Sequence, residues 1–459
     1  SRRRHTRCSR DWSSDVCSSD LLPVDVDTPD GYLDDRYGAF LEAAVMAAPL
    51  PDFGVAGEPY PALGALVLDG EASASLVRAT ERLARVFARA TDVAVSEPGV
   101  LERCGFPPAF IDMARREVPG ARPVLGRFDF LRDPKPWPGG DDPTGAWRAV
   151  EFNADTPSGL REVVSLEPLV RRHLPQTLAG LRPVATGVAR RVGRAVAKVI
   201  AAPLPSGRTI TSVGVVADPA YLEDVCQAIA FARAIGPSLA TRGVRVTFGA
   251  VTNLHRRGDR AWLRDVPIDA LYRYAAIEAW PGTAAWEAID VATAAGELRL
   301  VNGLRGVVAQ NKGLMAWIWG HRDDAATFDA DARAAIRTYL PPTTWVEAIP
   351  PAPVRPGLVV KQVFGREGAE VAMGADLDEA GWGSCVRWGS YVAQARVPTV
   401  ASVAALPTSR GHEVTDAWPV VGGMVSGGRW AGAYARLGGR VTQHDARWCA
   451  VLVPQPEVG

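Results

Sequence analysis

A chain of 459 residues is long enough for two or three domains, and 47% apolar with 22% charged residues is a soluble globular composition that excludes disordered and fibrous classes. Its 51 basic and 51 acidic residues cancel without a long run of either sign, so neither nucleic acid nor an anionic membrane surface is indicated as a partner. No apolar stretch approaches the roughly 20 residues of a membrane helix, and the six cysteines lack CxxC or metal-ligand spacing, so buried thiols in a reducing cytoplasm are expected.

The first segment, residues 1–21 (SRRRHTRCSRDWSSDVCSSDL), is similar to translated sequencing-adapter read-through, and no apolar core follows its arginines as a signal peptide would require. It is expected to be non-native. From Leu22 to about Gly120 the pattern is helical between Pro and Gly breaks. Ala72 to Ala90 repeats apolar residues every three or four positions, which predicts an amphipathic helix.

Two short polar stretches follow, Arg127-Phe128-Asp129 and Glu151-Phe152-Asn153-Ala154-Asp155-Thr156. Side chains alternate across a strand, so Arg127 and Asp129 share one face, as do Glu151 and Asn153, while the phenylalanines point the other way. The turn formers from Asp133 to Gly140 predict that the two strands are neighbours and present all four groups on one surface. Three hard oxygen ligands beside a cation outline a magnesium-phosphate site; a half-buried hairpin with a solvated polar face is the plainer reading of the same pattern. Leu160 to Ala201 then reads as one or two helices.

At Thr209 the texture changes. Ile210 to Val216 is a strand, Tyr221 to Ala234 a helix and Val244 to Phe248 another strand, a βαβ unit in a parallel sheet. No GxGxxG follows the first strand, so a dinucleotide is not implied. A helix begins near Asn311-Lys312-Gly313. Beyond the Pro-rich segment 349–356, Leu358 to Val363 is a strand feeding Gly365-Arg366-Glu367-Gly368, where glycines allow backbone amides to turn toward an anion. Lys361 on that strand suggests a flap over a nucleotide, or a hairpin with an exposed lysine. Near the C-terminus, Gly427-Gly428 turns into an alternating strand on which Arg436 and Tyr434 face the same way.

Together these blocks resemble the ATP-grasp ligases of the glutathionylspermidine synthase family. The similarity is densest in R-F-D with E-F-N-A-D-T-P, in V-N-G-L-R-G-V-V-A-Q-N-K-G-L-M-A-W-I-W, in V-V-K-Q-V-F-G-R-E-G-A-E-V and in G-G-R-W-A-G-A-Y-A-R. The metal-ligand block precedes the lysine blocks, as in the circularly permuted form of this family. The resemblance therefore implies an α+β, circularly permuted ATP-grasp fold with a small Rossmann-like pre-ATP-grasp α/β domain. The helical region and metal-ligand hairpin would occupy 22–205, the Rossmann-like domain 206–300, and the lysine, flap and C-terminal core strands 301–459.

Carried over by position, it implies that Asp129, Glu151 and Asn153 hold two Mg2+ ions. Lys312, Lys361, Gly365, Arg366, Glu367, Gly368, Gln394 and Val441 would contact ATP. Arg127 and Arg436 would face the transferring phosphoryl group as catalytic cations. Thr156, Glu223, Asp224 and Glu278 would bind the acid and amine substrates. Departures from the family pattern are Ala275-Ala276-Ile277 before Glu278, Leu437 after Arg436, and Trp448-Cys449-Ala450-Val451 at the end.

The implied activity is ATP-dependent amide formation between a peptide-like acid and an amine or polyamine. A carboxylate is a poor acyl donor because its leaving group is oxide; phosphorylation supplies a better one, and cations must neutralise the charge on the transferring group. The alternative is a non-catalytic ATP-binding module that retains the fold.

Overall fold

The computed structural model describes residues 19–22, 35–47, 54–55, 58–118, 122–133, 135, 137, 140–142, 147–173, 178–350, 355–366, 368, 371–408, 411–443 and 445–455. Glu367 and residues 1–18 lie outside the described residues. The architecture is mixed α/β.

The amphipathic stretch around Leu76 forms a helix over Gly70–Ser96, longer at both ends than predicted. Asp69 caps it, accepting from the Ala72 amide at 2.6 Å and so satisfying one of the amides that lack a helical partner. Its buried stripe includes Leu76, Leu83, Phe87 and Ala90. Phe87 meets Phe128 and Phe152 edge-on, at 5.4 and 5.0 Å, and those two rings stack on each other at 3.9 Å. This helix therefore covers the aromatic face of the polar hairpin and turns the charged face away from itself.

The hairpin ends a nine-stranded sheet. Its order is Ser19–Leu22, Pro61–Leu68, Arg447–Pro454, Arg429–Gly438, Gly411–Ser426, Gly126–Arg132, Trp147–Asn153, with Ser402–Thr408 and Leu181–Pro183 attached beside it. Neighbours are antiparallel except Arg447–Pro454 with Pro61–Leu68. Two segments depart from expectation. Pro61–Leu68 is a strand inside the region read as helical, because a continuous apolar run carries neither period. Ser19–Leu22, mostly within the segment expected to be foreign, pairs with 65–68.

Four parallel strands form a second sheet in the order Arg299–Val301, Ala270–Tyr274, Ser212–Ala217, Arg245–Ala250. The helix Leu222–Ala240 joins its last two members, so the βαβ unit forms where predicted, with a longer helix. Leu160 to Ala201 holds a π-helical turn at Glu162–Leu166, helices Glu167–His173 and Val188–Val199, and the short edge strand. A third, antiparallel sheet runs Thr343–Trp345, Tyr391–Ala395, Leu358–Gln362, Val371–Met373. No helix among the described residues is long and apolar enough to cross a membrane.

Candidate functional site

The three sheets meet at a cavity of about 950 Å³. Register brings the charged groups to it. Arg127 lies opposite Asn153 and Asp129 opposite Glu151, and on the other side Gly422 separates Asp129 from Tyr434. A glycine at 422 leaves a trough across the middle strand; a Cβ there would come within 2.9 Å of both Arg127 and Tyr434. Through this trough Arg127 Nη1 reaches the Tyr434 hydroxyl at 2.8 Å, and it also donates to Ser158 Oγ at 2.5 Å. The rest of its guanidinium grips Asp129 with two parallel bonds, Nε to Oδ1 at 2.6 Å and Nη2 to Oδ2 at 2.9 Å, the geometry that makes arginine–carboxylate pairs strong.

Arg436 comes from the far strand to donate to Asp129 Oδ2 at 2.7 Å, and Asn153 Nδ2 approaches the same oxygen at 3.3 Å. Burial alone would raise the Asp129 carboxyl, but Arg127 and Arg436 outweigh it and hold the group below its ordinary value. Asp129 is thus ionised, with Oδ2 surrounded by three donors and Oδ1 by one. Glu151 is half-buried, and Lys312 lowers its pKa in spite of partial desolvation and of repulsion from Asp129.

The two lysines close the opposite wall. Lys312 opens the helix Lys312–Gly320, for which the Asn311 side chain caps the Gly313 amide. Its ammonium lies 2.8 Å from Glu151 Oε1 and donates to the Gly365 carbonyl at 2.6 Å. Lys361, 9% exposed, donates to Gln394 Oε1 at 2.7 Å and to the Val150 carbonyl at 3.0 Å. Burial draws its pKa down to about 8, against the pull of Glu151. Gln394 holds Lys361 with its oxygen and Thr343 with its nitrogen, so its side chain positions the lysine. Gly365, Arg366, Gly368 and Val441 also line the cavity. Gly368 has a positive φ of 73°, and a Cβ there would also sit 2.5 Å from the Thr442 carbonyl, so the position takes glycine on both counts.

Arg366 is engaged by acids. It donates to Glu278 Oε1 at 2.7 Å and to Thr156 Oγ1 at 2.9 Å, and it stands 3.5 Å from Asp155. Glu278 faces this arginine and does not border the cavity, whereas Thr156 does. Glu223 and Asp224, in the first turn of Leu222–Ala240, line the cavity's other end.

Ser158, Gly159 and Gly422 are neighbours of the site that the sequence pattern does not single out, and Tyr434, expected on one face with Arg436, proves to be the partner of Arg127. The signal at the two glycines is their place inside a strand and a turn, which often marks close approach of another group. Gly159 has φ of 108°, and a Cβ there would lie 2.1 Å from the Tyr434 ring. Gly159→Ala is expected to displace Tyr434 and cost about 2–4 kcal/mol, combining backbone strain and overpacking; urea unfolding of the variant measures it.

Among the described residues no group of three or more His, Cys, Asp or Glu side chains could hold a metal ion.

The sequence profile of the family "Glutathionylspermidine synthase preATP-grasp" matches residues 53–454. No curated protein matches the sequence. The structure of a glutathione synthetase-like effector from Globodera pallida, in apo form, superposes with a TM-score of 0.56 at 11% identity, over 91% of this chain and 96% of that one. A candidate gamma-glutamylcysteine synthetase from Methylobacillus flagellatus gives a TM-score of 0.38 at 11% identity, over 81% of this chain and 88% of that one. The profile spans the three sheets that meet at the cavity, apart from the edge strand Ser19–Leu22, and every charged group that lines it, and by that match the chain belongs to the glutathionylspermidine synthase pre-ATP-grasp family.

Proposed function

We propose that the protein is an ATP-dependent carboxylate–amine ligase with a circularly permuted ATP-grasp core and that its parallel sheet is the Rossmann-like pre-ATP-grasp domain. The observation that carries this reading is the meeting, in one cavity, of Asp129 and Glu151 from the early hairpin with Lys312, Lys361 and Arg436 from the last third of the chain. The overall reaction joins R–COO⁻ and R′–NH3⁺ and converts ATP to ADP and hydrogen phosphate, the lost carboxylate oxygen leaving on the phosphate and the two protons lost by the ammonium going one to that phosphate and one to solvent.

The donor chemistry fits magnesium: two carboxylates and an amide on facing strands are hard oxygen ligands, few enough to leave positions for phosphate and water. Bound there, the metal would supply positive charge to the phosphate oxygens. Asp129, Glu151 and Asn153 would hold it, with Asp129 offering Oδ1, since Arg127, Arg436 and Asn153 crowd Oδ2.

This chain's own cations do the rest. Lys312 and Lys361 draw the phosphates to the hairpin, and Arg436, 21% exposed at its side chain, neutralises charge on the transferring group. Arg127 has most of its donors committed to Asp129, Ser158 and Tyr434, so it acts by fixing the Asp129 carboxylate. The flap around Gly365 excludes water from an acyl phosphate, which water would otherwise hydrolyse.

Purified protein given Mg-ATP, a panel of small peptides and a panel of amines tests the reading by ADP release. Turnover requiring both an acid and an amine supports it; tight nucleotide binding without turnover on any pair would mark a binding module instead.

The pH dependence follows from Lys361. With its pKa drawn down to about 8, the free protein loses this positive charge as pH rises through that value, whereas bound phosphates favour the charged form. Binding must then take up a proton. The Kd for Mg-ATP is expected to be flat below pH 7 and to rise toward about tenfold per pH unit above 8. Lys361→Arg, which keeps its charge, should flatten the curve. Calorimetry across that range checks it, and a flat wild-type curve would deny Lys361 contact with phosphate.

A further inference from the structure

We infer, resting on the ligase reading above, that the amine substrate is a primary amine with a single charge and an apolar or aromatic body, and that the Tyr274 hydroxyl binds its ammonium. The cavity has two unlike ends. One carries Lys312, Lys361 and Arg436. The other lies beyond the carboxyl ends of three parallel strands, in the loops after Ser212–Ala217, Arg245–Ala250 and Ala270–Tyr274, where open α/β sheets place their ligands.

Carboxylates at this second end come from one short segment: Asp218, Glu223 and Asp224. Negative charge is therefore gathered at one spot, with Arg161 near enough to Glu223 to offset part of it. The wall beyond it is apolar or neutral, with Val251, Leu254, Ala276 and Trp280 among its members. A polyamine carries charges spaced along its length and would need carboxylates at matching intervals; among the described lining residues this wall supplies none. Glu278, the next acid in the chain, is turned to Arg366. A single ammonium with an apolar body fits both halves of the arrangement.

Acids alone would accept any cation, and Tyr274 is what makes this a built site. It lines the cavity, is 3% exposed, and its hydroxyl has no hydrogen-bond partner. Buried polar groups are almost always paired, so such a hydroxyl marks the place of an absent partner. The adjacent Tyr272 hydroxyl also has none, but that ring stacks on Phe231 at 3.6 Å and does not border the cavity. Burial pushes the Tyr274 phenol well above its usual range, Asp224 adds to the effect and Arg127 opposes it. The hydroxyl is thus protonated and lies within electrostatic reach of both the acid cluster and Arg127, beside the region where the acyl group is activated. An ammonium bound there presents its nitrogen to that region, with its body directed along the Trp280 wall.

The test is calorimetric titration of the full chain, loaded with Mg2+ and a non-hydrolysable ATP analogue, with phenethylamine, hexylamine, putrescine and spermidine. Phenethylamine is expected to bind at least tenfold more tightly than spermidine. Tyr274→Phe, which keeps the ring, is expected to weaken phenethylamine about tenfold through loss of one bond to a charged group, with the nucleotide Kd unchanged. Tighter binding of spermidine or putrescine, an unaltered amine affinity in Tyr274→Phe, or nucleotide binding without any amine binding would each overturn the inference. Because the nucleotide Kd is measured on the same samples, failure of the ligase reading shows separately, as amine binding with no nucleotide bound.

Discussion

Glu151→Gln is expected to lower ATP-dependent turnover by about 10³-fold while leaving the fold intact. The glutamine oxygen can still accept from Lys312, which lies 2.8 Å from Glu151 Oε1, so the wall of the cavity keeps its shape. What is removed is one negative charge, facing the position where a divalent cation would neutralise the phosphates. Misplacing or losing a charge-stabilising group of that kind costs about 10²–10³ in rate when one donor is involved, and a metal-holding carboxylate stands at the upper end. The proper readout is ADP formation at saturating substrates, with a thermal melt on the same sample. A variant melting like the wild type and turning over at a comparable rate would exclude Glu151 from the reaction.

Asp129→Asn is expected to show the larger effect on stability. Asp129 is 2% exposed and receives donors from Arg127 and Arg436. Its loss leaves the buried Arg127 guanidinium without its hydrogen-bonded counter-charge, Glu151 being the carboxylate that remains near it, and breaking one partner from a buried pair costs about 3–5 kcal/mol. Arg436 is more exposed and can relax toward solvent, so the cost falls mainly on Arg127. The same coupling predicts acid sensitivity. A carboxyl depressed in the folded state contributes stability above its unfolded pKa, near 4, and that contribution fades as pH falls through the folded value. Denaturant melts of Asp129→Asn and wild type at pH 7 measure the difference, which should shrink once the pH drops well below 4. Equal stability at pH 7 would mean that the Arg127–Asp129 pair is not a buried ion pair in solution.

The hairpin could be read from sequence because two simple regularities coincided: strand alternation put the polar groups on one face, and Phe128 and Phe152 identified the other. The structure adds Phe87 as the aromatic lid on that second face. Likewise Ile210 to Phe248 announced its βαβ unit through β-branched runs flanking a helical period. What escaped were particular side-chain contacts between residues distant in the chain. Nothing local to Gly422 says that Arg127 will cross above it to Tyr434, a contact between residues 307 positions apart. Arg366 was legible as part of a glycine-rich turn, but its attachment to Glu278 spans 88 positions and depends on where the parallel sheet docks. Pro61–Leu68 escaped for a different reason, since a run buried on both sides shows no period at all.

The most direct test of the account is a crystal structure of the protein with Mg2+ and a non-hydrolysable ATP analogue. The triphosphate is expected between the hairpin oxygens of Asp129, Glu151 and Asn153 and the ammonium groups of Lys312 and Lys361, under the Gly365 turn. A nucleotide seated elsewhere, or phosphates that touch the lysines while the hairpin carboxylates remain remote from them, would contradict it.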